Sequence, residues 1–131
     1  MRSRLLTLLA VAALATGGPA GARALDLAEK GHLIFQTHCA LCHDDSAHML
    51  NDNGPALFGV VGRRVGSVAD YPYSGALQDA NRRGDRWTES RLDALLQKPT
   101  GVYGGTTMPM NFSKVEDRKA IIAYLKTLKS R

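Results

Sequence analysis

An all-α fold, with three main helices joined by long loops, follows from three observations on this chain. Apolar residues recur at helical spacing in three separated stretches, beginning near Asp26, Thr88 and Ser113. Between the first two, Gly54, Pro55, Gly59, Gly62, Gly66, Pro72, Gly75 and Gly84 fall in a stretch without sustained period, which predicts loop. No alternation of strand length occurs after residue 24. With 131 residues, 44% of them apolar and 22% charged, the chain suits one globular domain and is too short for two independent cores.

That domain is not expected to begin at Met1. Arg2 and Arg4 precede an apolar run from Leu5 to Ala15, and the segment closes on Ala22-Arg23-Ala24. A basic start, a short apolar run and a small-residue ending are the marks of a secretory signal peptide. The run falls short of the roughly 17–25 residues that cross a bilayer, so residues 1–24 read as removable and imply no stable membrane insertion. Residues 25–131 then form the mature domain, starting at Leu25. Removal takes Arg2, Arg4 and Arg23 and no acid, leaving 14 basic against 12 acidic residues. A formal charge near neutrality gives no reason for a nucleic-acid or anionic-membrane partner, and no basic and aromatic stripe supplies one.

The first helix is predicted from Asp26 to about His38, where Leu27, Gly31, Ile34, Phe35 and His38 share a period and Asp26 with Glu29 resembles a capping box. Residues 44–87 are predicted to be mostly loop, and irregular chain of that length needs something to wrap around. The second helix runs from the Thr88 cap to about Gln97, with Leu92, Leu95 and Leu96 inward and Pro99 as its stop; Lys98, before the proline, is predicted to be extended. Thr100 to Phe112 reads as a second loop. Ser113-Lys114-Val115-Glu116 has the pattern of a capping box and opens the third helix, carrying Ile121, Ile122, Tyr124, Leu125 and Leu128.

Two cysteines in an exported chain would ordinarily form a disulfide. Here they stand in Cys39-Ala40-Leu41-Cys42-His43, the C-x-x-C-H pattern of c-type haem attachment. Near a helix end, each thiol can reach one vinyl group while the His43 imidazole meets the iron. A covalent apolar disc also supplies the centre of a core that a domain of about 100 residues is hard put to build alone. Two rival readings use the same residues. A thioredoxin-like pair needs a βαβ context, which is absent; a zinc site could recruit Cys39, Cys42, His43 and His38 or His48, but a second spaced ligand pair is missing.

The remaining chain resembles the class I cytochrome c family over nearly all of residues 25–131. The resemblance rests on Gly31 and Phe35 before the haem motif, Gly54-Pro55-x-Leu57-x-Gly59-x-x-Gly62-Arg63 after it, Tyr71-Pro72-Tyr73, Trp87 followed by Leu92, Leu96 and Pro99, Gly105-Thr106-Thr107-Met108, and Ala123-Tyr124-Leu125-Lys126. It implies the class I cytochrome c fold, wrapped around one covalent haem c. His43 is implied as the proximal iron ligand, with the carbonyl of Pro55 accepting its free ring N–H. Met108 is implied as the distal ligand, a soft thioether that raises the reduction potential; Met110, two residues on, competes for the role, and Pro109 with the preceding Gly-Thr favours Met108. Arg63, Tyr73, Trp87 and Thr106 match positions where the family satisfies the haem propionates, although core packing alone would also account for Tyr73 and Trp87. Gly31 and Tyr124 match the crossing of first and last helices.

The chain also departs from mitochondrial members. The lysines that ring their exposed haem edge are replaced by residues such as His38, Thr100, Gly101 and Thr107, so transient partner contacts with modest salt dependence are expected. Leu95 stands where many relatives have a tyrosine, and the Tyr73–Trp87 stretch is a few residues longer, as in bacterial relatives. Together with the export signal, this implies a monomeric periplasmic carrier that shuttles single electrons between redox partner proteins and is not an enzyme. A haem subunit held in a periplasmic oxidoreductase complex is the alternative, and an open-iron enzyme or gas sensor is disfavoured by Met108. His32, His48 and Met49 read as surface or packing residues.

Overall fold

The structure, a computed structural model, describes residues 25–129, so the expected signal peptide lies outside the described residues. Among them are five helices and no strand: α1 (Leu27–Ile34), α2 (Gly75–Arg83), α3 (Glu89–Gln97), α4 (Pro99–Val102) and α5 (Val115–Leu125). An isolated antiparallel bridge joins Arg64 to Arg86.

The Asp26–Glu29 capping box is complete: the Asp26 side chain accepts from the Glu29 N–H and the Glu29 side chain from the Asp26 N–H, each at 2.8 Å. The helix continues past Ile34 as one wide π turn, Phe35–Cys39, in which the Ala40 N–H reaches the Phe35 carbonyl at 3.0 Å. Gly31 explains how α1 meets α5. A Cβ at this residue would fall on the Ala120 carbonyl and 2.9 Å from the Tyr124 Cβ, so the two backbones cross where one of them lacks a side chain. Phe35, Val60, Leu92, Leu96, Ile121, Ile122 and Leu125 are buried around this crossing as the main core.

Thr88 caps α3 as expected, accepting from the Arg91 N–H at 3.2 Å, and Lys98 is extended at φ −150° and ψ 90°. Three expectations need correction. The stretch read as loop contains α2, opened by the Ser74 hydroxyl and closed by Gly84 at φ 80°. Ala80 is buried on it with Ala76 and Leu77 half-buried beside it, an apolar stripe only one turn long that does not stand out among the glycines and prolines around it. Pro99 both stops α3 and starts α4, because a proline fits the first helical turn, where no N–H partner is needed. Ser113 does not cap α5: Lys114 occupies the cap without a side-chain bond. The carbonyls of Phe112 and Ser113 instead accept from Arg118 Nη1 at 3.0 and 2.9 Å, and Arg118, 4% exposed, is paired with Asp93 at 2.8 Å.

Candidate haem-attachment site

The Cys39–His43 motif leaves the π turn as a tight bend, with the N–H groups of Cys42 and His43 both donating to the Cys39 carbonyl at 3.0 Å. Loop chain then folds back over it. Gly54 N–H donates to the Cys42 carbonyl and Leu57 N–H to the Asp44 carbonyl, both at 2.8 Å. Asp44 orders the intervening turn, accepting from the Ser46 hydroxyl and the Leu50 N–H at 2.9 Å each, bonds that hold its carboxyl below the usual range, the Leu50 bond most of all. Asp44-x-Ser46 is a turn signal in the sequence, but the Leu50 N–H that Asp44 also binds lies six positions on and is marked by no local pattern.

These loop contacts set the histidine. His43 Nδ1 lies 2.7 Å from the Pro55 carbonyl, which can only accept, so Nδ1 carries the proton and the lone pair sits on Nε2. Gly54 lies flat against the same ring, where a Cβ would strike it. Burial holds His43 below the ordinary imidazole value, against the opposing effects of the Pro55 bond and the Asp52 charge. A neutral imidazole with one nitrogen fixed and the other available is what a metal ligand requires.

Both cysteines are unpaired thiols, half-buried, and Cys39 packs against the main core. Burial, and secondarily Cys42, pushes the Cys39 thiol up to about 11. The described residues form helices and no strand, so the βαβ context of the thioredoxin-like reading is absent. Among the described residues, no group of three or more His, Cys, Asp or Glu is placed to hold a metal ion. No described helix is long and apolar enough to cross a membrane.

Arg63 is anchored by two carbonyls, Phe58 to Nη1 and Ala56 to Nη2, both at 2.7 Å, and its Nε is buried without a partner. Such an orphaned donor calls for an acceptor, and burial of the guanidinium disfavours its charge unless an anion stands nearby. Trp87 runs beside it, its backbone N–H donating to the Arg63 carbonyl at 2.9 Å. Tyr73, whose value burial raises, accepts from the Val68 N–H at 3.3 Å and keeps its own proton to donate. Thr106 gives its proton to the Tyr103 carbonyl at 3.3 Å. Met108, Trp87 and Cys39 are half-buried against one core cluster, the one built around Phe35, Leu96 and Ile121.

The donor set fits haem: two thiols for the vinyl groups, an imidazole with Nε2 presented, a thioether, and an unpartnered buried Arg63 donor for a carboxylate. The chain's similarities agree. The family model for cytochrome c matches residues 28–129. A cytochrome c of Gibberella zeae is 40% identical over 100 residues, 75% of this chain and 91% of that relative. A cytochrome c of Euglena viridis is 40% identical over 103 residues, 78% of this chain and 97% of that relative. A cytochrome c2 of Rhodopseudomonas palustris is 32% identical over 143 residues, 98% of this chain and all of that relative. The chain therefore belongs to the cytochrome c family and is a class I, single-haem c-type cytochrome, an all-α electron-transfer protein.

Proposed function

We propose that this chain is a monomeric periplasmic shuttle, exported by residues 1–24, that carries one electron at a time on haem c bound through Cys39 and Cys42, with His43 and Met108 as axial ligands. The observation that carries the reading is the bond from His43 Nδ1 to the Pro55 carbonyl, since it fixes the tautomer and turns Nε2 to the ligand role. When bound, the haem supplies a one-electron ferric/ferrous couple.

The chain's own residues keep that couple cheap to cycle. Thioether bonds from Cys39 and Cys42 hold the group without relying on its affinity. Pro55 and Gly54 hold the His43 ring from two sides, so the ligand has little freedom to reorganise. Met108 offers a neutral soft donor that favours the reduced state. Arg63, with Tyr73 and Trp87, lines the carboxylate end, and the orphaned Arg63 Nε supports that assignment, whereas the Thr106 hydroxyl proton is given to the Tyr103 carbonyl and is not available there. The basic start, the short apolar run and the Ala22-Arg23-Ala24 ending of residues 1–24 support the export reading.

A redox titration with a pyridine haemochrome spectrum, on protein matured with haem-attachment machinery, tests the whole. One haem c per chain and a single one-electron wave are expected. A colourless product, or pigment lost to acid acetone, overturns the reading. Met108→Ala should abolish the sulfur-to-iron band at the red end of the ferric spectrum while Met110→Ala keeps it. The N-terminus should read Leu25, and a start at Met1 would refute the signal. A single low-mass haem peak in gel filtration of native extract is expected, and co-elution with an oxidoreductase would replace the shuttle by the subunit.

A further inference from the structure

Met108 sits in residues 104–111, which contain no helix. The segment opens on Gly104 and Gly105, the latter at φ 77°, a start that leaves many conformations accessible to whatever follows. Just before it stands Tyr103, 8% exposed and packed with Val65 and Ala80 in a second core cluster. The Trp87 ring meets it edge-on at 5.8 Å, and the Arg91 guanidinium lies 6.0 Å from its ring centre. The Tyr103 hydroxyl donates to Asp85 Oδ2 at 3.0 Å. Its carbonyl accepts from the Thr106 hydroxyl, a bond that bridges both glycines and ends two residues short of Met108. The Ser74 hydroxyl adds a tie of the same length, 3.3 Å, to the Gly104 carbonyl. At the far end, the Phe112 N–H is fixed to the Leu96 carbonyl at 2.8 Å.

We infer that Tyr103 is a positioning residue for Met108: through its hydroxyl bond to Asp85 it sets where Gly104–Thr107 lie and thereby how often the thioether leaves the iron. This rests on the reading of Met108 as axial ligand. The coupling is a shift between a held segment and a released one. An outside base competes for the iron only in the released state, so its apparent affinity scales with the released fraction. Ring packing against Val65, Ala80 and Trp87 would be served equally by phenylalanine. The hydroxyl, which bridges to a separate segment, is the part that acts on the equilibrium.

The test is imidazole binding to the ferric holoprotein, read from its spectrum, with amide hydrogen exchange as a second measurement. Tyr103→Phe should bind imidazole about tenfold tighter, the scale of one lost hydrogen bond passed through a population shift. Exchange of the Phe112 amide, whose bond to the Leu96 carbonyl closes the segment, should quicken by a similar factor while α5 stays unchanged. Asp85→Ala removes the acceptor of that bond together with its pair to Arg83 at 3.0 Å; with Arg83→Ala as the control for the ion pair, it serves if Tyr103→Phe gives no holoprotein. Unchanged imidazole affinity in Tyr103→Phe and Asp85→Ala, or equal quickening of exchange in α5, overturns the inference. The ligand reading is judged separately: if Met108→Ala keeps the sulfur-to-iron band, it is that reading which fails.

Discussion

The Tyr124 hydroxyl donates to Asp45 Oδ2 at 2.5 Å, tying α5 to the residue two positions after His43 across 79 positions of sequence. Tyr124 also stacks on His32 at 4.7 Å and leans on Phe35 at 5.3 Å, so one side chain joins the last helix, the first helix and the haem motif. Tyr124→Phe keeps the ring and removes the bond, and should cost about 1–2 kcal/mol in urea unfolding.

The same side chain predicts a pH dependence. Burial first, and the Asp45 bond and charge next, raise the Tyr124 phenol above its ordinary value of 10. The unfolded chain therefore releases this proton before the folded one does. The stabilisation is complete below about pH 10 and is lost as pH climbs from there through the folded value. Thermal melts at rising alkaline pH should fall less steeply in Tyr124→Phe than in the parent, and parallel slopes would contradict the assignment.

Gly31→Ala places a methyl against the Ala120 carbonyl, which is backbone and has little room to give. Parting α1 from α5 should cost about 3 kcal/mol, at the upper end of ordinary overpacking. Urea denaturation of the holoprotein measures it.

Gly54→Ala strikes the His43 ring directly. Displacing it breaks the Pro55 bond, and disturbing a ligand's support of this kind weakens metal binding by about tenfold or more. The expected sign is a ferric spectrum of altered spin state and reduced holoprotein yield; a wild-type spectrum would show that the ring is held by other means.

Arg63→Ala leaves the Ala56 and Phe58 carbonyls without their donor and should destabilise the fold by about 3 kcal/mol. It also removes a positive charge from the haem neighbourhood, which favours the more positive ferric state. The midpoint potential should therefore drop in a redox titration.

The parts of this architecture carried by local signals could be read from the chain. Asp26 with Glu29, Thr88, and the run from Ile121 to Leu125 each declare a helix through a cap or a stripe, and C-x-x-C-H declares the attachment point. What stayed hidden depends on partners distant in sequence. Helix α2 turns only Ala76, Leu77 and Ala80 inward, a stripe one turn long, and its cap Ser74 and stop Gly84 are residues equally at home in loops. Ser113 looked like a cap, but the Phe112 and Ser113 carbonyls are claimed by Arg118, whose own burial depends on Asp93. Tyr103 and Asp85 are 18 positions apart and match no motif, so their bond becomes visible only once the chain is folded.

The wide turn at Phe35–Cys39 acts as a phase shifter in the chain. Since the Ala40 N–H closes on the Phe35 carbonyl, Ala40 stands below Phe35, and Cys39 is rotated off the line that a regular helix would have drawn from Gly31 through Phe35. The angular setting of the seam with α5 is thereby uncoupled from that of the thiol pair. Deleting a single residue between Phe35 and Cys39 would merge the two settings, and the helix could then serve its neighbour or its pigment, but not both.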